Sequence, residues 1–161
     1  MRDIKFRGKR VENGEWVYGV PYQSMGEWWI LVDDNTCTDK VGTGSYQVIP
    51  ETIGQFTGLK IKDIETYKHD VIGFYIIKNL GEPDEVKVIV ATAQVVWNDD
   101  YGYWGLKWIN SSQSEASVLC GIKIPDEYDY LLFSLLEWFD NESSQWNGYE
   151  IVGNIHDTEG K

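Results

Sequence analysis

Apolar and polar residues alternate along most of this chain, and a period of two is typical of β-strands with one buried face. In residues 14–20 (GEWVYGV), Trp16, Tyr18 and Val20 occupy alternate positions. The Asn13-Gly14 pair before them is a strong hairpin signal and makes residues 3–7 (DIKFR) the partner strand. Further segments of strand composition are 27–34, 70–78, 85–99, 103–109 and 149–155. The pattern predicts roughly seven to nine strands in an antiparallel sandwich or barrel.

Residues 125–139 (PDEYDYLLFSLLEWF) follow a helical period instead. The apolar positions at helical spacing are Tyr128, Leu131, Leu132, Leu135, Leu136 and Phe139. They form the stripe of an amphipathic helix. Tyr130, Phe133 and Trp138 lie off that stripe, so the helix would carry more apolar surface than one face needs. We therefore expect burial on two sides or a contact between copies of the chain.

Length and charge limit the class of protein. The chain has 161 residues, 42% of them hydrophobic, and fits a single domain over 1–161. Fourteen Lys+Arg against twenty-six Asp+Glu give a formal charge of −12, which disfavours binding to duplex nucleic acid, although five basic residues lie in the first ten positions. No apolar run is long enough for a signal peptide or a membrane-spanning helix. We therefore expect a soluble, cytoplasmic protein that enters no membrane.

The stretch VIPETIGQFTGLK (48–60) raises the question of a phosphate-binding loop. Such a loop needs four residues between its glycines and a Lys-Ser/Thr pair after them. Here three residues separate Gly54 from Gly58, and Leu59 occupies the place of the lysine. The motif does not match, and we expect the glycines to serve tight turns and Pro50 to begin a short turn or helical element.

Candidate catalytic groups are few. The pairs His69-Asp70 and His156-Asp157 resemble parts of metal-dependent phosphohydrolase sites, but the chain has only two histidines. Cys37 and Cys120 are too far apart in sequence for a CxxC pair, and we expect free thiols. The sequence predicts no catalytic residue, no metal and no cofactor. The alternative is a metal-assisted hydrolase that uses His69, Asp70 and a carboxylate such as Asp157.

The eight tryptophans favour an interaction role. Trp28 and Trp29 are adjacent, so in a strand they point to opposite sides and cannot both face one core. Exposed tryptophan is favourable at protein interfaces. The residues expected to contact a partner are Trp28, Trp29, Tyr130, Phe133 and Trp138. A strongly acidic, aromatic surface would suit a basic protein as that partner, or a nucleic-acid-binding protein whose ligand it imitates.

Four blocks of sequence carry a family resemblance: RDIKFRGKRVENGEWVYG at 2–19, VIPETIGQFTGLK at 48–60, IETYKHDVI at 64–72 and YEIVGNIHD at 149–157. In this order they closely resemble the YopX-like family of phage and prophage proteins. Lys68 and His69 stand where that family usually has Glu-Gly, so the resemblance does not define the geometry of the turn before Asp70.

The resemblance implies a small, mainly β protein with no established activity and no catalytic residues to carry over. The expected fold is an antiparallel, partly open SH3-like barrel or meander with an N-terminal hairpin region and one late helix. The expected role is a phage or prophage accessory protein in the cytoplasm of the bacterial host. It would act as a non-enzymatic binding module, on a protein partner or on copies of itself.

Overall fold

The computed structural model describes residues 4–32, 44–79, 81, 83, 85–111, 130–131 and 148–158. This part of the chain is mainly strand, so the predicted mainly β class is confirmed. Its strands are β1 (Phe6–Lys9), β2 (Trp16–Ser24), β3 (Glu27–Leu31), β4 (Ser45–Gln47), β5 (Gly54–Ile61), β6 (Ile64–Tyr67), β7 (Asp70–Lys78), β8 (Val86–Asn98), β9 (Tyr103–Ser111), β10 (Tyr130–Leu131) and β11 (Gly148–Asn154). Two short 3₁₀ helices follow β4 and β11, at Pro50–Thr52 and Ile155–Thr158.

All described strand pairs are antiparallel, and they form two open sheets. One sheet has the order β4-β3-β2-β1-β5-β6 and the other the order β10-β9-β8-β7-β11. A barrel requires its first and last strands to pair. The strand order of each sheet is open and the described strands do not close a barrel, so the expected antiparallel, mainly β fold is confirmed. The SH3-like likeness stays a prediction. Beyond β1 the chain also contacts the β4 end of its sheet, where Arg10 bridges Val48 and the Val11 amide donates to the Gln47 carbonyl at 3.0 Å.

The chain divides into two compact units. Unit 1 contains the described residues up to Lys60, Glu65–Lys68 and those from His156 onward, and unit 2 contains Ile61–Ile64 and His69–Ile155. The single domain expected from the sequence stays a prediction.

Unit 1 begins with the predicted hairpin. Strand β1 pairs with β2 from Phe6, opposite Gly19, to Lys9, opposite Trp16. Gly14 has φ +73°, the conformation that the Asn-Gly signal predicts for the turn. On one side of this sheet the side chains of Ile30, in β3, and Val48 are fully buried.

The stretch 48–60 is a helical turn followed by a strand. Pro50–Thr52 forms the 3₁₀ helix that the proline predicted, but β5, which starts at Gly54, was missed. An added Cβ at Gly54 would lie 2.7 Å from the Lys68 carbonyl oxygen, so glycine allows two backbones to approach closely. Gly58 has φ +90°, a conformation that side chains disfavour. Both glycines therefore have a structural task, although they lie within a strand and not at its turns.

Unit 2 is built on the long β7, β8 and β9. Four of its predicted strands are confirmed to within a few residues, at Asp70–Lys78, Val86–Asn98, Tyr103–Ser111 and Gly148–Asn154. One side of the sheet is closed to solvent, and the fully buried side chains on it are Ile72, Phe74, Ala93, Val95 and Leu106. β8 and β9 are rich in β-branched and aromatic residues, which favour strands. They pair from Ala91 opposite Ser111 to Asn98 opposite Tyr103, with a register shift between Thr92 and Ala93.

The predicted helix over 125–139 falls outside the described residues except at two positions. There, Tyr130 and Leu131 form β10 and pair with Leu106 and Gly105 of β9. The helix prediction is wrong at these two residues, because their backbones bond to a neighbouring strand instead of within their own segment. In the ranges described above, no helix has the length and apolar character needed to cross a membrane.

The close approach at Gly54 yields a stability prediction. Gly54→Ala is expected to lower the free energy of unfolding by about 1–3 kcal/mol, because the backbones of β5 and Lys68 must separate. Urea unfolding followed by tryptophan fluorescence measures the change. Gln55→Ala, in the same strand, is the control and should cost less than about 1 kcal/mol. Equal stability of the two variants would contradict the packing role.

Candidate interaction face

One side of the six-stranded sheet is lined with aromatic side chains. Residues opposite each other in an antiparallel pair share a side of the sheet, and the register places Arg7 opposite Tyr18, Val20 opposite Leu31 and Tyr22 opposite Trp29. We call this side of unit 1 the aromatic face. Its members are Arg7, Trp16, Tyr18, Val20, Tyr22, Trp29, Leu31 and Tyr67.

The inner part of the aromatic face is organised around Arg7. Its guanidinium carbon lies 4.3 Å from the ring centroid of Trp16 and 4.5 Å from that of Tyr67. The residue is only 8% exposed. The negative faces of the rings attract the cation, and the flat guanidinium stacks on them in a way that an ammonium group cannot. Arg7 thereby joins β1 to β2 and to β6.

Glu65 fixes the position of Tyr67. The Tyr67 hydroxyl donates a hydrogen bond of 2.7 Å to Glu65, and the Lys5 ammonium pairs with the same carboxylate. Burial, followed by the hydrogen bond to Glu65, raises the pKa of Tyr67 above its usual range. The hydrogen bond from Lys5, followed by that from Tyr67, lowers the pKa of Glu65. The carboxylate is therefore charged and the phenol neutral at ordinary pH, which keeps this contact in place.

The basic cluster at the N-terminus is compensated within unit 1. Lys9 forms an ion pair of 2.9 Å with Asp157, donates to the His156 carbonyl at 2.8 Å and lies 5.3 Å from the Trp16 ring centroid. Arg10 lies over the Tyr46 ring and pairs with two glutamates. These cations therefore do not form the open positive surface that phosphate backbones require.

The outer part of the aromatic face is open to solvent. Along β2, Tyr18 is 51% exposed, Val20 63% and Tyr22 37%. Trp29 and Leu31 of β3 flank them and are half-buried. Three large side chains at alternate positions of one strand thus form a continuous exposed stripe, supported from below by the Arg7 stack.

The residues predicted to contact a partner separate into two groups. Trp28 pairs with Gln23 and Trp29 with Tyr22, so the two tryptophans lie on opposite sides of the sheet, as predicted. Both are half-buried, and only Trp29 belongs to the aromatic face. Tyr130 lies in β10, in unit 2, while Phe133 and Trp138 lie outside the described residues.

The residues of the predicted hydrolase site have other partners. The Asp70 side chain is 1% exposed and accepts a hydrogen bond of 3.2 Å from the Asn154 amide. The His69 Nδ1 atom lies 3.1 Å from the Gln94 amide nitrogen, and Asp157 pairs with Lys9. Within the described part of the chain, no three His, Cys, Asp or Glu residues are grouped so as to hold a metal ion. No specific observation therefore favours the hydrolase.

Comparison with known proteins yields no relative: no protein-family model matches the chain, and no curated protein or solved structure matches it either. The resemblance to the YopX-like family rests on the four sequence blocks and stays a prediction.

His69 occupies the position where the resemblance leads one to expect glycine, and its backbone explains why. It has φ +75°, the left-handed region that glycine tolerates best. Its backbone amide bonds to the Val95 carbonyl at 2.9 Å, and its carbonyl accepts from Ile155 at 3.0 Å. These bonds hold His69 in that conformation, so the turn before Asp70 keeps a geometry suited to glycine.

Replacement of Arg7 tests the stacking of its guanidinium between the two rings. Arg7→Lys is expected to lower the free energy of unfolding by about 1–2 kcal/mol, because an ammonium cannot stack between two rings at once. Thermal and urea unfolding measure the effect. Arg10→Lys, whose guanidinium lies over one ring and beside exposed glutamates, should change stability by less than about 0.5 kcal/mol. A loss no larger at Arg7 than at Arg10 would refute the stacking role.

A second prediction concerns His69. His69→Gly is expected to raise the free energy of unfolding by up to about 1 kcal/mol, since glycine relieves the strain of the positive φ. The urea midpoint should rise with an unchanged slope. Lys68→Gly is the neighbouring control at an ordinary φ and should cost about 0.5–1 kcal/mol. A lower midpoint for His69→Gly would show that the His69 side chain outweighs the strain.

Proposed function

We propose that this chain is a non-enzymatic binding module, a YopX-like phage or prophage accessory protein that binds a protein partner in the cytoplasm of the bacterial host. The aromatic face is the binding surface. The observation that carries this proposal is the exposed stripe of Tyr18, Val20 and Tyr22 on β2.

The composition of this stripe supports a protein partner. Tyrosine and tryptophan are enriched at protein interfaces, because they bury large apolar areas and keep a hydrogen-bonding group at the edge. Tyr18 contacts the Tyr67 ring edge-on, with centroids 5.8 Å apart, and Tyr67 is held by Arg7 and Glu65. The Tyr18 side chain is therefore held against a fixed ring, which reduces the entropy that it loses on binding.

Charge favours an apolar partner surface over a basic one. The described part of unit 1 has six Lys+Arg and six Asp+Glu and carries no net charge, whereas the whole chain has a formal charge of −12. Residues outside the described ranges account for most of the acidic excess, with four Lys+Arg against fourteen Asp+Glu. The partner of a neutral aromatic face is expected to be an uncharged, apolar protein surface.

Site-specific photocrosslinking in host cells tests this proposal. A photoreactive phenylalanine analogue at Val20 is expected to link the chain to one defined protein. The same analogue at Val86 of unit 2, which is 52% exposed, is the control and should not yield this product. Identical products from both positions, or none from Val20, would contradict the proposal. A crosslinked product that contains two copies of the chain would show that the aromatic face binds another copy of the chain instead of a different protein.

Substitution of the stripe provides the second measurement. Tyr18→Ser combined with Tyr22→Ser should reduce capture of the crosslinked protein at least about 10-fold, since truncation of a central aromatic contact costs more than 1 kcal/mol. Tyr101→Ser removes a tyrosine that is 76% exposed in unit 2 and should leave capture unchanged. Circular dichroism of both variants controls for folding. Undiminished capture by a folded double variant would exclude the stripe as the binding surface.

A further inference from the structure

A cleft lies at the edge of unit 1 beside the aromatic face. It has a volume of about 350 Å³, and the lining residues that matter here are Arg10, Glu12, Trp29, Ser45, Tyr46 and Gln47. The volume falls at the lower end of the range for small-molecule sites. Trp29 belongs both to the aromatic face and to the cleft, so a molecule that covers the face can reach into the cleft.

The charged groups of the cleft are already satisfied by each other. The Arg10 guanidinium lies 4.4 Å from the Tyr46 ring centroid, pairs with Glu12 and lies 3.6 Å from Glu15. A ligand carboxylate would meet Glu12 beside the arginine, and a ligand cation would meet Arg10 beside the glutamate. Each would have to break an existing pair to enter, so this arrangement disfavours charged ligands.

The uncharged walls define the ligand that fits. Two of the lining residues, Trp29 and Tyr46, are aromatic, and Ser45 and Gln47 carry a hydroxyl and an amide. An indole or phenol side chain has the same two properties, a flat apolar ring and one polar edge. Pockets that receive such a side chain commonly provide most of the affinity of an interface.

We propose that this cleft binds an uncharged aromatic side chain, tyrosine or tryptophan, of the protein that covers the aromatic face. The inference rests on the proposed function for the identity of the partner. The chemistry of the cleft is independent of it and can be measured on the chain alone. Trp29 then serves as the contact shared by the stripe and the cleft.

Titration of the full-length, ¹⁵N-labelled chain with four small compounds tests the cleft. N-acetyl-tryptophanamide and N-acetyl-tyrosinamide are expected to shift the NMR signals of the Trp29 indole N–H and the Gln47 side-chain amide, with dissociation constants on the order of millimolar. N-acetyl-argininamide and N-acetyl-glutamic acid amide should bind at least about 10-fold more weakly. Equal or tighter binding of a charged compound, or no shift at either signal, would overturn the proposal.

Two matched variants identify the site of binding. Trp29→Ala should abolish the shift of Gln47 by the aromatic compounds, while Trp28→Ala, on the other side of the sheet, should retain it. If Trp29→Ala does not fold, Gln47→Glu introduces a charge into the cleft and should weaken binding at least about 5-fold. Retained binding in the folded cleft variant would refute the site.

The two proposals fail in different ways. If the aromatic compounds bind the cleft but no crosslink forms from Val20, the cleft proposal is supported and the protein-partner proposal is contradicted. If Val20 gives a specific crosslink but the aromatic compounds do not bind, the protein-partner proposal is supported and the cleft proposal is contradicted.

Discussion

The stacking of Arg7 between Trp16 and Tyr67 is the contact on which the architecture of unit 1 depends. A nearly buried cation is costly unless its surroundings compensate it, and here two aromatic rings do so at 4.3 and 4.5 Å. The contact reaches from β1 to β2 on one side and to β6 on the other. Tyr67 is in turn held by Glu65 and Lys5. One basic side chain thus links strands that lie far apart in the sequence.

The same principle explains the surface of unit 1. Lys5, Lys9 and Arg10 each lie near an aromatic ring and pair with a carboxylate. Their charges are used within the fold, and the exposed stripe beside them is left without net charge. A neutral aromatic surface on a rigid base is suited to apolar protein contacts and gives no long-range electrostatic steering. The acidic excess of the chain belongs mainly to residues outside the described ranges.

Unit 2 shows how a strained residue is held by its surroundings. The backbone of His69 bonds to β8 on one side and to Ile155 on the other, which fixes a positive φ. Asp70, the next residue, is buried and bonded to Asn154 at the end of β11. The His69 backbone and the Asp70 side chain, in the pair that suggested hydrolytic chemistry, thus join the start of β7 to its neighbours.

The sequence by itself determined the fold class and most of the strands. Period-two alternation located β2, β9 and β11, and β-branched and aromatic composition located β7 and β8. Asn13-Gly14 located the first hairpin. These signals are local, which is why the sequence alone contains them. The strands in 54–67 were not predicted, because Gly54 and Gly58 resemble turn signals. In the structure Gly54 allows a close approach of two backbones, and Gly58 adopts a positive φ within β5. At Tyr130 and Leu131, pairing with β9 overrode a helical pattern.

Sequence patterns identified only part of the candidate site. Alternation placed Tyr18 and Val20 on one side of β2, and adjacency placed Trp28 and Trp29 on opposite sides. Neither pattern could say which side is covered, because burial depends on which strands lie alongside and what packs against them. The tertiary structure decided that Ile30 and Val48 are enclosed while Tyr18, Val20 and Tyr22 meet solvent. It also brought Arg7 and Tyr67, sixty positions apart, into contact, which no local signal encodes.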